Sequence, residues 1–124
     1  MSNNNEQEVW RDIPNFYRYQ VSSIGRIKNI KTGKILSQFK NPNGYMFAAL
    51  VNNENKQKNV RVHIIVATCF LRERPRNYDV HHINGIKHDN YYKNLKYISH
   101  GRHSYNHNGN FAYSLMGFGW GWQL

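Results

Sequence analysis

Turn signals recur so densely through the first half of this chain that no long helix can form there. Gly25, Thr32-Gly33, Asn41-Pro42-Asn43-Gly44 and Asn52-Asn53-Glu54-Asn55-Lys56 cut the apolar residues into short runs. Each carries Gly, Pro or Asn, residues that supply positive φ, preset φ or local side-chain capping in tight turns. Between them, Trp10, Ile13, Phe16, Tyr17 and Tyr19, then Val21, Ile24, Ile27, Ile30 and Ile35, then Tyr45 to Val51, read as short β-strands. Lys58 to Val62 is expected to pair with the Tyr45 strand as a hairpin.

The period changes at His63. Ile64, Ile65, Ala67, Thr68 and Leu71 fit one side of a short helix, which the charged loop Arg72-Glu73-Arg74-Pro75-Arg76-Asn77 ends. Val80 to Ile83 reads as a strand, Asn84 to Lys93 as a polar loop bent at Gly85, and Leu95 to Ile98 as a second strand. Ser99 is a candidate N-cap for a helix to about His107. The predicted class is α+β: small antiparallel strands and hairpins, then a strand, loop, strand, helix unit. Residues 1–8 are polar and Asn-rich and are expected to fray. Residues 108–124 form an uncharged Gly- and aromatic-rich tail, too short and Gly-rich to span a bilayer.

Charge narrows the partner. Of 124 residues, 17 are basic and 7 acidic, a formal net charge of +10. That excess favours a polyanion, nucleic acid first and an anionic membrane surface second. Cys69 is the only cysteine, so no intramolecular disulfide can form. It sits in the apolar run from Ile64 to Leu71 and reads as a buried thiol rather than a reactive one. The N-terminus lacks a signal pattern and no stretch has the length and apolarity of a membrane span. A soluble intracellular protein, monomeric and without a protein partner, is expected.

Six of the seven histidines fall between His81 and His107, together with Asn84, Asp89, Asn90, Asn94 and Asn106. Imidazole can ligate a metal and can accept a proton near neutral pH. Both abilities beside a basic surface point to metal-assisted hydrolysis of a phosphodiester. Closed structural zinc sites usually include cysteine, and none lies in this window.

The run Val80-His81-His82-Ile83-Asn84-Gly85, then Asn94-Leu95, then His103 resembles the HNH endonuclease motif, which that family folds as a ββα-metal finger. Upstream, Glu8 to Pro14 with Tyr19 to Lys28 is similar to the short module preceding HNH domains in phage-type homing endonucleases. Arg61 to Ala67 resembles the helix start between the two. The resemblance divides the chain into a disordered N-terminus (1–7), a nuclease-associated β-rich module (8–56), an HNH nuclease domain (57–107) and the tail (108–124).

By resemblance, His82 is the general base that takes a proton from water, and Asn94 holds its imidazole through the side-chain amide or the loop backbone. His81 and His103 would ligate one divalent ion: magnesium, manganese or zinc. Two nitrogen ligands favour an ion softer than magnesium. Double-stranded DNA is the implied partner, with Arg26, Lys28, Arg61, Arg72, Arg74, Arg76, Lys87, Lys93 and Lys96 as phosphate contacts. Longer relatives continue into a C-terminal helical DNA-binding region without counterpart here. The alternative to an active endonuclease is therefore a catalytically inactive, truncated DNA-binding remnant of one.

Overall fold

A computed structural model describes residues 6–100. Its elements are β1 (Trp10–Asp12), β2 (Tyr19–Ser22), β3 (Ile27–Asn29), β4 (Phe39–Lys40), β5 (Met46–Val51), β6 (Gln57–Arg61), α1 (Val62–Phe70), β7 (Tyr78–His82), a single 3-10 turn (Tyr92–Asn94) and β8 (Leu95–Ser99). The strands form three small antiparallel sheets, β1-β2-β3, β4-β5-β6 and β7-β8. The α+β class expected from the sequence is the class observed. Among the described residues no helix is long and apolar enough to cross a membrane.

Turn chemistry accounts for the strand ends. Gly25 and Gly44 adopt φ of +96°, a conformation open to glycine because it has no Cβ. Asn41 and Asn52 close their turns by accepting backbone N–H bonds on Oδ1, Asn41 from Asn43 and Tyr45, Asn52 from Glu54 and Lys56. In the β5–β6 hairpin, Ala48 and Leu50 point inward and are fully buried, while Ala49 between them is exposed. That is the period-two pattern of a one-sided sheet. The sequence-expected boundary between residues 56 and 57 falls in this hairpin's turn.

Helix α1 follows β6 without a linker. Arg61 is both the last strand residue and the N-cap, and it makes no side-chain cap. A helix of nine residues without capping cannot hold itself in water, so packing must hold it. Its buried residues are Val62, His63, Ile65, Val66 and Ala67. Of the side expected from the sequence, Ile65 and Ala67 are buried and Leu71 packs against the core, while Ile64 is only half-buried. Val62 is already core where a strand residue was expected, and Thr68 is exposed with its hydroxyl donating to Ile64 O at 2.8 Å.

One core joins everything. Val21 and Ile27 from the first sheet, Ala48 and Leu50 from the second, Val62 and Val66 from α1, and Leu95 and Tyr97 from β8 belong to a single buried cluster. Ser99, expected as an N-cap, is instead the last residue of β8, opposite Tyr78. The expected helix beyond it lies, after His100, outside the described residues.

A candidate active site at the end of a two-stranded ribbon

Strand β7 reaches its end at the histidine doublet. His82 pairs with Leu95 and His81 with Lys96 across the ribbon. Successive strand residues face opposite sides, so the two imidazoles cannot share one environment. His82 is buried at 5% exposure; His81 is half-buried. The doublet thus divides into one inward and one outward imidazole.

The loop after β7 is held by amide side chains. The backbone N–H of Gly85 donates to His82 O, and Gly85 adopts φ of +79°. Asn84 Oδ1 accepts from the Ile86 N–H, and Asn84 Nδ2 donates to Asp89. Buried Asn94 makes the closing contacts. Its Oδ1 accepts from the Asn84 N–H at 3.0 Å, its Nδ2 donates to Asn84 Oδ1 and Asp89 O, and its carbonyl accepts from the Ile83 N–H at 2.7 Å. Asn94 therefore secures the loop rather than touching the imidazole.

The side chain on His82 is Asn90. Asn90 Oδ1 lies 2.8 Å from His82 Nε2, and Asn90 is itself buried. An amide oxygen only accepts, so this contact favours the neutral tautomer with its hydrogen on Nε2 and the lone pair on Nδ1. Behind His82, the ring of His63 lies 5.0 Å away and stacks in turn on Tyr45 at 4.9 Å. His63 Nδ1 is, among the described residues, the buried side-chain polar atom without a hydrogen-bond partner. Burial, then the neighbouring His82 and Arg61, push the His63 pKa down to about 4. A charged ring there would bury an N–H with no acceptor.

The expected cationic residues are scattered over several surfaces. Arg26 is exposed but forms two hydrogen bonds to the Glu8 carboxylate, and it shares the Trp10 ring with Lys28 Nζ. Glu8 is held below the usual carboxylate range, chiefly by that Arg26 bond. Arg61 is exposed over the Phe47 ring. Arg72, Arg74 and Arg76 are exposed on the loop between α1 and β7, with Arg74 donating to Tyr78 O. Lys87 reaches back to Asn43 O at 2.9 Å and lies over Tyr45. Lys93 is 3.5 Å from Glu6, and Lys96 is half-buried on β8.

Of the two expected metal ligands, His81 stands on the ribbon and His103 lies outside the described residues. No group of three His, Cys, Asp or Glu capable of holding an ion occurs among the described residues. Asn90 and Tyr45 lie against His82, and Gly25 lies against Asn90, placements that sequence reasoning did not give. Asn90 stands with Asn84 and Asn94 in the same window, and only the fold distinguishes it from them.

The chain is similar to known proteins. The NUMOD4 motif matches residues 8–51. Two uncharacterised HNH endonucleases of Acanthamoeba polyphaga mimivirus are 39% identical over 98 residues and 35% over 103, covering 76% and 83% of this chain but 24% and 29% of their own lengths. The DNA endonuclease I-HmuI of Bacillus phage SP01 is 33% identical over 91 residues, which are 73% of this chain and 52% of that enzyme. A solved structure of I-HmuI, described as an HNH homing endonuclease that binds and cleaves DNA, superimposes with a TM-score of 0.72 at 31% identity. That match covers 81% of this chain and 57% of the other. The chain thus spans about a quarter of the mimivirus relatives and about half of I-HmuI.

Proposed function

Because this chain is a homologue of the HNH endonucleases and carries a NUMOD4 motif, we propose that it hydrolyses phosphodiester bonds in double-stranded DNA, with His82 as the general base. The observation that carries this reading is the buried His82 imidazole, whose Nε2 lies 2.8 Å from Asn90 Oδ1, a contact that favours the tautomer with its lone pair on Nδ1. A base needs such a free lone pair on a held ring. His82 Nδ1 takes a proton from the attacking water. Asn94 keeps the loop closed around β7, so that the imidazole does not swing away. His63, its pKa pushed down by burial, stays neutral beside the tilted His82 ring, which leaves His82 as the proton acceptor of the two.

His81 and His103 would hold one divalent ion, which when bound supplies charge stabilisation for the leaving 3′ oxygen. Arg72, Arg74 and Arg76 on the loop before β7, with Lys96 on the ribbon, would meet phosphates near the site. Arg26 and Lys93 approach DNA only by releasing Glu8 and Glu6. Arg61, Lys28 and Lys87 would extend the contact along the β-rich module.

The test is supercoiled plasmid incubated with the protein and Mg²⁺, Mn²⁺ or Zn²⁺. Nicking is expected, and His82→Ala should lower it at least about a hundredfold, the scale of a lost general base. Retained cleavage in that variant would overturn the role of His82. Salt-sensitive duplex binding with no cleavage under any ion would favour an inactive DNA-binding protein instead.

A further inference from the structure

Three contacts bring the β-rich module onto the loop that follows the histidine doublet, and a fourth brings it onto His63 of α1. A Cβ built on Gly25 would meet Asn90 Cβ at 2.9 Å. Ser23 O accepts the Tyr92 N–H at 2.9 Å. Lys87 Nζ donates to Asn43 O, and its chain lies 3.3 Å from where a Gly44 Cβ would stand. Tyr45 stacks on His63, which faces His82. Packing this tight is costly to displace, because interiors have little free volume to absorb an added methyl group.

Gly25 is held in place independently. Its φ of +96° closes the β2–β3 turn, its N–H donates to Ser22 O at 2.9 Å, and its carbonyl accepts from Gln38 Nε2 at 2.8 Å. Asn90 therefore lies against a fixed backbone surface. On its other side its Oδ1 meets the His82 ring. The chain of contact runs from turn to amide to imidazole.

We propose that Asn90 is a positioning residue that sets the tautomer of His82, and that the β2–β3 turn, through Gly25, sets Asn90. The β-rich module thereby completes the catalytic base, beyond any part it has in holding DNA. Without the Asn90 acceptor, the ring hydrogen is free to move to Nδ1, and that nitrogen loses the lone pair that accepts a proton. A wrong tautomer leaves the residue in place yet removes its chemistry. The effect on nicking rests on the nuclease reading; the effect on the tautomer does not.

The test uses the full chain labelled with ¹⁵N-histidine, without metal, with the His82 signals assigned by their loss in His82→Gln. The wild type is expected to show protonated Nε2 and unprotonated Nδ1. Asn90→Ala should move the signals towards exchange between both tautomers and cut plasmid nicking about a hundredfold. Asn90→Asp keeps an acceptor oxygen and should hold the wild-type tautomer. Gly25→Ala should shift the signals in the same direction as Asn90→Ala. An Asn90→Ala or Gly25→Ala protein with the wild-type tautomer overturns the proposal, as does an Asn90→Asp protein that loses it. If Asn90→Ala does not fold, Asn90→Asp and Gly25→Ala decide the matter. A wild type that nicks no plasmid sinks the nuclease reading alone, because the tautomer measurement still stands.

Discussion

Two neighbouring imidazoles show how far environment divides identical residues. His63 and His82 are both buried, with rings 5.0 Å apart, yet one has a partner for its ring nitrogen and the other has an orphaned Nδ1. The depressed pKa of His63 has a consequence for stability. Folded at about 4 and unfolded near 6.5, this residue binds its proton more readily in the unfolded chain. Its contribution is complete above the unfolded value and is lost as pH falls from about 6.5 towards 4, by up to about 3 kcal/mol. Urea midpoints should therefore drop across that window. In His63→Phe, which can keep the ring on Tyr45 but does not titrate, the drop should shrink measurably. An unchanged pH profile in that variant would show that other groups govern acid stability. At this scale the sequence singled out the doublet and Asn94. It could not single out Asn90, because a hydrogen bond eight residues along a loop depends on how that loop closes.

The elements carry chemistry that no isolated residue has. Alternation along β7 sends His82 inward and His81 to the other face, and the register of β8 sets Lys96 opposite His81. A slip of one residue would exchange the roles of the two histidines, since strand side chains repeat every second position. What pins the ribbon is Tyr97 on β8. It is 1% exposed, and its hydroxyl donates to Arg72 O at 2.9 Å with Ala67 O at 3.3 Å, at the end of α1. Burial pushes its own pKa up, with Arg74 partly opposing. Tyr97→Phe keeps the ring and removes that bond, so denaturant unfolding should register a loss of about 1 kcal/mol. Strand positions were legible from turn chemistry and alternation. The face that α1 buries was legible only in part: Ile65 and Ala67 lie on it as expected, but β6 delivers Val62 directly into the core and Thr68 is left exposed.

Across the whole molecule, the β-rich module and the histidine ribbon share a core that includes Val21, Ile27, Leu50, Val66, Leu95 and Tyr97. Units that share a core this way unfold together. Urea transitions followed by Trp10 fluorescence in a Trp120→Phe, Trp122→Phe background and by His82 resonances in the ribbon should coincide. Leu50→Ala, on a fully buried side chain remote from the doublet in sequence, should lower both by about 3 kcal/mol. Separate transitions would mean that the module and the ribbon are independent units. The net charge of +10 acts at the same scale. Duplex binding should weaken steeply with salt, the log-log slope losing about one unit for each phosphate-contacting cation removed, as in Arg74→Ala.

The sequence by itself determined the α+β class, the places where the chain turns, the clustering of histidines and the basic charge. These are local or compositional properties, carried by Gly and Asn at turns, by apolar alternation and by residue counts. The HNH-type order of His81-His82, Asn94 and His103 was likewise readable along one dimension. Only the tertiary structure decided which histidine faces inward, which amide meets it, and that a turn some 57 positions upstream of His82 packs against that amide. Those relations depend on packing between segments distant in the chain. Gly25 reads in sequence as a turn residue, and in the folded protein its missing Cβ is also the space that Asn90 occupies.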